Sequence, residues 1–351
     1  MDRKEKRFDS LTGLRGIFIL LIVIYHMGGY FGWVFSPVLH LFYKWGGIMG
    51  NSFFFMLSGF VISCGYRDRI LRGQTDFGGF IKKRLMKIYP MYLITDAVHA
   101  CLLVYEEGMI LNFRSILPNL FMITTGWVDD IYPYNVSCWF VSVLLLCYII
   151  YYVLCRTARK NPQLVLYLEI GMVLWGYLLL SKGWNVPFCY SHDGEGLLNF
   201  FIGCVLFEIY ERNSVRGNRR LLGVLLGLLA GCLLLSRQTG FEQFSGDSRL
   251  PFAFLICPAA LLLTLEIRWI GRILESGVLM KLGQISMNIF YWHMPIVVFV
   301  NILGIKGLLD GIGADVRFPV TLAVILLWAA GAEKIWGKLE KKYGKAKEET
   351  K

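Results

Sequence analysis

Charge is scarce in this chain. Asp, Glu, Lys and Arg make up 17% of its 351 residues, against about 25% in an ordinary soluble domain. With 56% hydrophobic residues and a mean hydropathy of +0.54, that shortage excludes a soluble globular fold. Cysteine supplies no framework. The nine cysteines include no C-x-x-C pair and sit mostly in apolar runs, where the residue behaves as a small hydrophobe. Only Cys138 and Cys189 both fall near the outer ends of such runs, the one pair a bridge could join. No histidine stands at the spacing to another ligand that a zinc site needs, so no metal is expected. The net charge of +11 does not point to nucleic acid, because the basic residues gather at the ends of apolar runs. The start MDRKEKRF precedes an apolar run with no small-residue cleavage site, which predicts a retained first helix. There is no internal repeat.

What the chain has in abundance is long apolar runs. They predict an all-α, polytopic membrane protein of about ten transmembrane helices, near 11–31, 46–66, 86–106, 137–155, 164–181, 196–212, 220–236, 251–267, 283–303 and 318–337. An even count puts both termini on one side. With the amino terminus inside, the outer loops keep only Lys44, Arg114, Lys182, Arg237, Arg249, Lys306 and Arg317 of the 36 Lys and Arg. That asymmetry places both termini in the cytoplasm. We expect a single domain, 1–351, with a helical bundle over 11–337 and a charged cytoplasmic tail over 338–351 that is drawn to anionic lipid headgroups. The longest outer loop, 107–136, contains a partly apolar piece too short to span; it either lies on the surface or dips back in.

Ionisable residues inside such runs mark candidate sites. Arg15 and His26 share the first run, eleven positions apart. Three helical turns bring them to one face, roughly 16 Å apart along the axis. A charge at that depth costs a few kcal/mol and usually faces a bundle interior or a wet cavity. A snorkelling arginine with a packing histidine is the plain alternative. Ser58 and Gly59 in NSFFFMLSGF allow close helix approach; Ser58 is also a candidate cavity group. Lys83, Arg84 and Lys87 in FIKKRLMKIYP either report topology or form a phosphate clamp, since arginine grips phosphate with a two-pronged fork and lysine adds a point charge. Tyr89 follows them. Trp139, Ser142, Asn199, Glu208 and His293 are the other polar groups at depth, and His293 falls at a depth that overlaps His26.

Together these segments resemble acyltransferase family 3, the integral-membrane acyltransferases with which bacteria decorate surface polysaccharides. The resemblance rests on Leu14-Arg15-Gly16 with His26, on Phe54-Phe55-Met56-Leu57-Ser58-Gly59-Phe60, on Arg84-Leu85-Met86-Lys87 followed by Ile88-Tyr89-Pro90-Met91-Tyr92, and on Ser286 with His293-Met294-Pro295. Two positions depart from the family pattern. Lys87 replaces the second arginine of R-x-x-R, which keeps the charge and loses the fork. Trp139 to Leu144 stands where many members carry W-S-L-x-x-E, so the carboxylate is missing.

The resemblance implies an acyl-CoA donor, acetyl-CoA by family default, with no permanently bound cofactor. It implies a glycan or lipid-linked sugar acceptor and a location in the bacterial inner membrane. It assigns His26 as general base, or as the carrier of a short-lived acyl-imidazole, with Arg15 as its catalytic partner. Arg84, Lys87, Lys83 and Tyr89 would hold the donor, and Ser58, His293 and Trp139 would support the cavity. A transporter or flippase of a glycolipid or small anion is the second reading, with Arg15 and His26 as relay sites. A structural membrane protein is the third. The oligomeric state stays open.

Overall fold

Why the bundle closes is clearest at its glycines. At Gly59 and Gly203, a Cβ on either residue would collide with the facing helix, at the carbonyl of Phe200 for Gly59 and of Met56 for Gly203. Two backbones therefore touch directly, as small residues permit in membranes. Gly16 and Gly283 make a second such contact, Gly16 against Leu279 and Leu282 and Gly283 against the Thr12 carbonyl.

The computed structural model describes residues 8–31, 37–127, 131–182, 184–212 and 249–349. Its helices are α1 (Asp9–Phe31), α2 (Pro37–Leu71), α3 (Phe77–Glu107), α4 (Phe113–Phe121), α5 (Trp139–Thr157), α6 (Leu164–Lys182), α7 (Ser191–Glu211), α8 (Cys257–Glu266), α9 (Arg268–Leu274), α10 (Gly277–Gln284), α11 (Ser286–Ile305) and α12 (Ala314–Glu349). A 3-10 turn, Val136–Cys138, leads into α5, and a π turn, Phe252–Ile256, leads into α8. No strand occurs among the described residues.

Seven described helices are long and apolar enough to cross a membrane. An eighth crossing results if α8 and α9, bent by 98°, count as one broken span. The expected span at 196–212 is present as α7, but Asp193, Glu195, Glu208 and Glu211 make it too charged to qualify by hydropathy. It is nonetheless an inner helix, buried from Asp193 to Glu208 at all but one position. Glu208 is ion-paired there with Arg67 of α2. The expected seventh span, 220–236, lies outside the described residues. The count of ten is therefore not established by the structure.

The loop between α3 and α5 dips back into the bundle. Asn112 caps α4 through a reciprocal bond with Ser115. The chain then turns inward so that Met122, Thr124, Thr125 and Asn135 are buried. Irregular backbone survives at membrane depth only when protein satisfies its polar groups, and here it does. Tyr92 donates to the Asn119 carbonyl (2.9 Å), and the Ser142 hydroxyl is shared between the carbonyls of Met122 and Thr125, 3.1 Å from each. The Asn135 amide donates to the Tyr291 carbonyl (2.9 Å), and its backbone N–H to Asp96 (2.9 Å). Cys138 and Cys189 are free thiols.

Candidate active site

Two cavities lie end to end along α1. The first has a volume of about 550 Å³. Its walls are largely apolar, from Ile19, Leu57, Phe140 and Leu144, and it carries three cations, Arg15, Arg84 and Lys87, with Ser58 and Tyr148. No carboxylate lines it among the described residues. Phe140, Leu144 and Tyr148 follow at i, i+4 and i+8 on α5 and so form one stripe. Leu144, where the family pattern places a glutamate, is thus a cavity wall, so the carboxylate of that pattern is missing from the lining that the described residues form. Arg84 is steadied by the Tyr66 ring, 4.4 Å from its guanidinium carbon. A desolvated cation beside an aromatic face is a favourable arrangement.

The second cavity is smaller, about 170 Å³, and mostly polar: Tyr25, His26, Asn51, Ser137, Trp139, Glu195 and Arg249 line it. Ile22, Asn51 and Phe290 line both cavities and form the wall between them. Arg15 thus opens on one chamber and His26 on the other, along the single face of α1 that their spacing predicts.

His26 is held from behind. Its Nδ1 lies 3.0 Å from the Ile22 carbonyl and 3.2 Å from Nε2 of His293. His293 is fully buried and lines neither cavity. Its Nδ1 sits 2.6 Å from the Phe290 carbonyl and 3.2 Å from that of Ile289. Carbonyls only accept, so His293 Nδ1 carries the hydrogen and its Nε2 presents a lone pair. His26 Nδ1 faces that lone pair and a carbonyl, so it too carries the hydrogen. The free lone pair of His26 is left on Nε2. A neutral imidazole fixed in one tautomer by a second group is the arrangement of a general base.

Of the expected site residues, the structure brings Arg15, Ser58, Arg84 and Lys87 to the first cavity and His26 and Trp139 to the second, with His293 behind His26. Lys83 and Tyr89 stand apart. Lys83 is exposed, and Tyr89 donates to the Leu120 carbonyl of α4. Sequence reasoning did not find Tyr148, Asn51 or Glu195 as site residues. The i, i+4, i+8 stripe on α5 was the signal available for Tyr148.

The chain matches the Acyltransferase domain family over residues 8–332. It is 25% identical over 334 residues to acyltransferase MdmB of Streptomyces mycarofaciens, covering 85% of this chain and 81% of that protein. It is 22% identical over 374 residues to O-acetyltransferase OatA of Staphylococcus aureus (strain NCTC 8325 / PS 47), covering 94% of this chain and 57% of that protein. Another relative, from Staphylococcus aureus (strain COL), is 24% identical over 356 residues, 87% of this chain and 53% of its own length. The chain therefore spans about half the length of the staphylococcal relatives it matches. No solved structure matches it. The family match over nearly the whole length, on the Arg15, His26, Ser58 and Arg84 segments that build the two cavities, places the chain in acyltransferase family 3.

Proposed function

We propose that the chain is a membrane O-acetyltransferase that takes an acyl group, acetyl first, from acyl-CoA and passes it to a hydroxyl of a cell-surface or lipid-linked glycan. The observation that carries this reading is the shared wall. A chamber built for an anion and a chamber bearing a free imidazole nitrogen meet at Ile22, Asn51 and Phe290.

In this reading Arg84 and Lys87 hold the phosphates of CoA at the mouth, through charge-assisted hydrogen bonds. The pantetheine arm runs along the apolar wall and brings the thioester to the junction. His26 Nε2 removes the proton from the acceptor hydroxyl. The oxygen attacks the thioester carbonyl, the C–O bond forms, the C–S bond breaks, and the proton leaves on the CoA thiol. Arg15 orients the donor and offsets its negative charge, and Ser58 donates a hydrogen bond on the donor side. The distribution of basic residues supports a ten-crossing arrangement in a bacterial inner membrane, with both termini and the donor mouth on the cytoplasmic side.

Binding and turnover of radiolabelled acetyl-CoA by detergent-purified protein tests the proposal. Wild type should bind and consume it, Arg84→Ala should weaken binding, and His26→Ala should stop turnover with binding retained. Wild type that neither binds nor consumes acetyl-CoA, nor longer or charged acyl-CoAs, would overturn the reading in favour of a transporter.

A further inference from the structure

The second cavity has a chemistry of its own. Amide (Asn51), hydroxyl (Ser137), carboxylate (Glu195) and guanidinium (Arg249) groups converge there from α2, the turn before α5, α7 and the segment ahead of α8. Hydrogen-bond donors and acceptors are both present within about 170 Å³. Among the described residues its two charged groups are opposite and close, Arg249 Nε lying 3.8 Å from a Glu195 carboxylate oxygen. Among the described residues the site therefore carries balanced charge, where the lining of the first cavity carries three cations and no carboxylate.

Among the described residues its apolar walls are confined to Ile22, Ile48 and Phe290 beside Gly47, so a lipid alcohol would gain little burial there. Of the rings that line it among the described residues, Tyr25, His26, Phe290 and Trp139, the indole of Trp139 is the largest flat surface. That ring is braced by His192, with centroids 4.7 Å apart, and His192 is itself held by the Tyr132 hydroxyl at 2.8 Å. A fixed indole beside paired polar groups suits a molecule with hydroxyls round its edge and C–H groups on its faces. The volume is below the roughly 300–1,000 Å³ of pockets for drug-sized ligands, room for one ring and not for an oligosaccharide.

We propose that this cavity is the acceptor subsite. It takes a single neutral sugar ring, terminal or protruding, stacked on Trp139 and read by Glu195, Arg249 and Asn51, with one hydroxyl delivered between His26 and the junction wall. The assignment rests on the acyltransferase reading and deepens it by placing the acceptor in this cavity, limiting it to one neutral ring and naming the residues that select it.

The experiment uses the full chain in detergent. Binding of methyl hexopyranosides is measured by saturation-transfer NMR, and transfer from radiolabelled acetyl-CoA to the same glycosides is measured in parallel. A sialic acid glycoside and octanol serve as the anionic and apolar comparisons. Wild type should bind the neutral glycosides. Glu195→Gln, which keeps size and shape, and Trp139→Phe should each weaken glycoside binding and raise the acceptor KM about ten-fold or more, with acetyl-CoA binding within about two-fold of wild type. Absence of glycoside binding by wild type, unchanged glycoside affinity in both variants, or preference for the sialoside or octanol would overturn the subsite. Glycoside binding that depends on Glu195, in a protein that never binds acetyl-CoA, would uphold the subsite and remove the acyltransferase reading.

Discussion

His26 Nδ1 and His293 Nε2 lie 3.2 Å apart across a sequence separation of 267 residues. That contact fixes which nitrogen of His26 stays free, because a carbonyl-bound His293 can only accept from it. Replacing His293 by Phe removes the acceptor and leaves the cavity walls in place. We expect kcat to fall on the order of ten-fold, against roughly 10²–10⁴-fold for His26→Ala, with the KM for acetyl-CoA unchanged in both. Steady-state kinetics with varied donor checks this; a His293→Phe enzyme with full kcat would remove the positioning role.

Lys87 sits at the mouth of the first cavity where the family pattern has arginine. Lys87→Arg restores the fork and should lower the KM for acetyl-CoA by roughly two- to five-fold. Lys83→Ala should leave it unchanged, because Lys87 lines the first cavity and Lys83 lines neither of the two cavities. The comparison of the two neighbours reads geometry and not bulk charge.

The crossing of α2 and α7 predicts opposite outcomes for similar substitutions. Gly59→Ala or Gly203→Ala forces a methyl group into facing backbone and should cost about 1–3 kcal/mol. Gly171→Ala on α6 meets nothing within 4 Å and should stabilise by up to about 1 kcal/mol through helix propensity. Thermal unfolding in detergent measures both signs. The two destabilising changes share one contact and should not add.

Asp76 caps α3 by accepting the Gly79 N–H at 2.9 Å, and that bond holds its carboxyl below the usual carboxylate range. A depressed folded-state value means the stabilisation is present above the unfolded pKa and is lost as pH falls through the folded value. Asp76→Asn keeps a cap acceptor and loses the titration. Its thermal midpoint should therefore fall less steeply than wild type on acidification below about pH 4.

Arg15, His26 and the basic segment were legible because ionisable groups in apolar runs carry a cost that demands a reason. Overlapping depth already set His293 at the level of His26, but the direct ring-to-ring contact behind the cavity was not legible, since nothing local links the two residues. Lys83 was grouped with Arg84 by proximity in sequence, yet adjacent helical residues project about 100° apart, and only one of them can face the cavity. Glu195 fell one residue outside the expected sixth run of apolar sequence, 196–212. The carboxylates at the start of α7 read as a loop because burial in a polar cavity leaves no hydrophobic signal. Glycine at Gly59 announced close packing, and the structure supplies its partner at Gly203.

The inward-dipping stretch before α5 has a consequence for how the protein is made. Its bonds reach back to Asp96 and Tyr92 and forward to Tyr291, which lies 156 residues beyond Asn135. Insertion machinery reads hydropathy as the chain emerges, and this stretch is too short and too polar to be inserted on that signal. Its last partner does not exist until α11 has been synthesised. The segment therefore settles late, after the flanking helices are already in the bilayer, and the order of assembly follows the order in which its hydrogen-bond partners arrive.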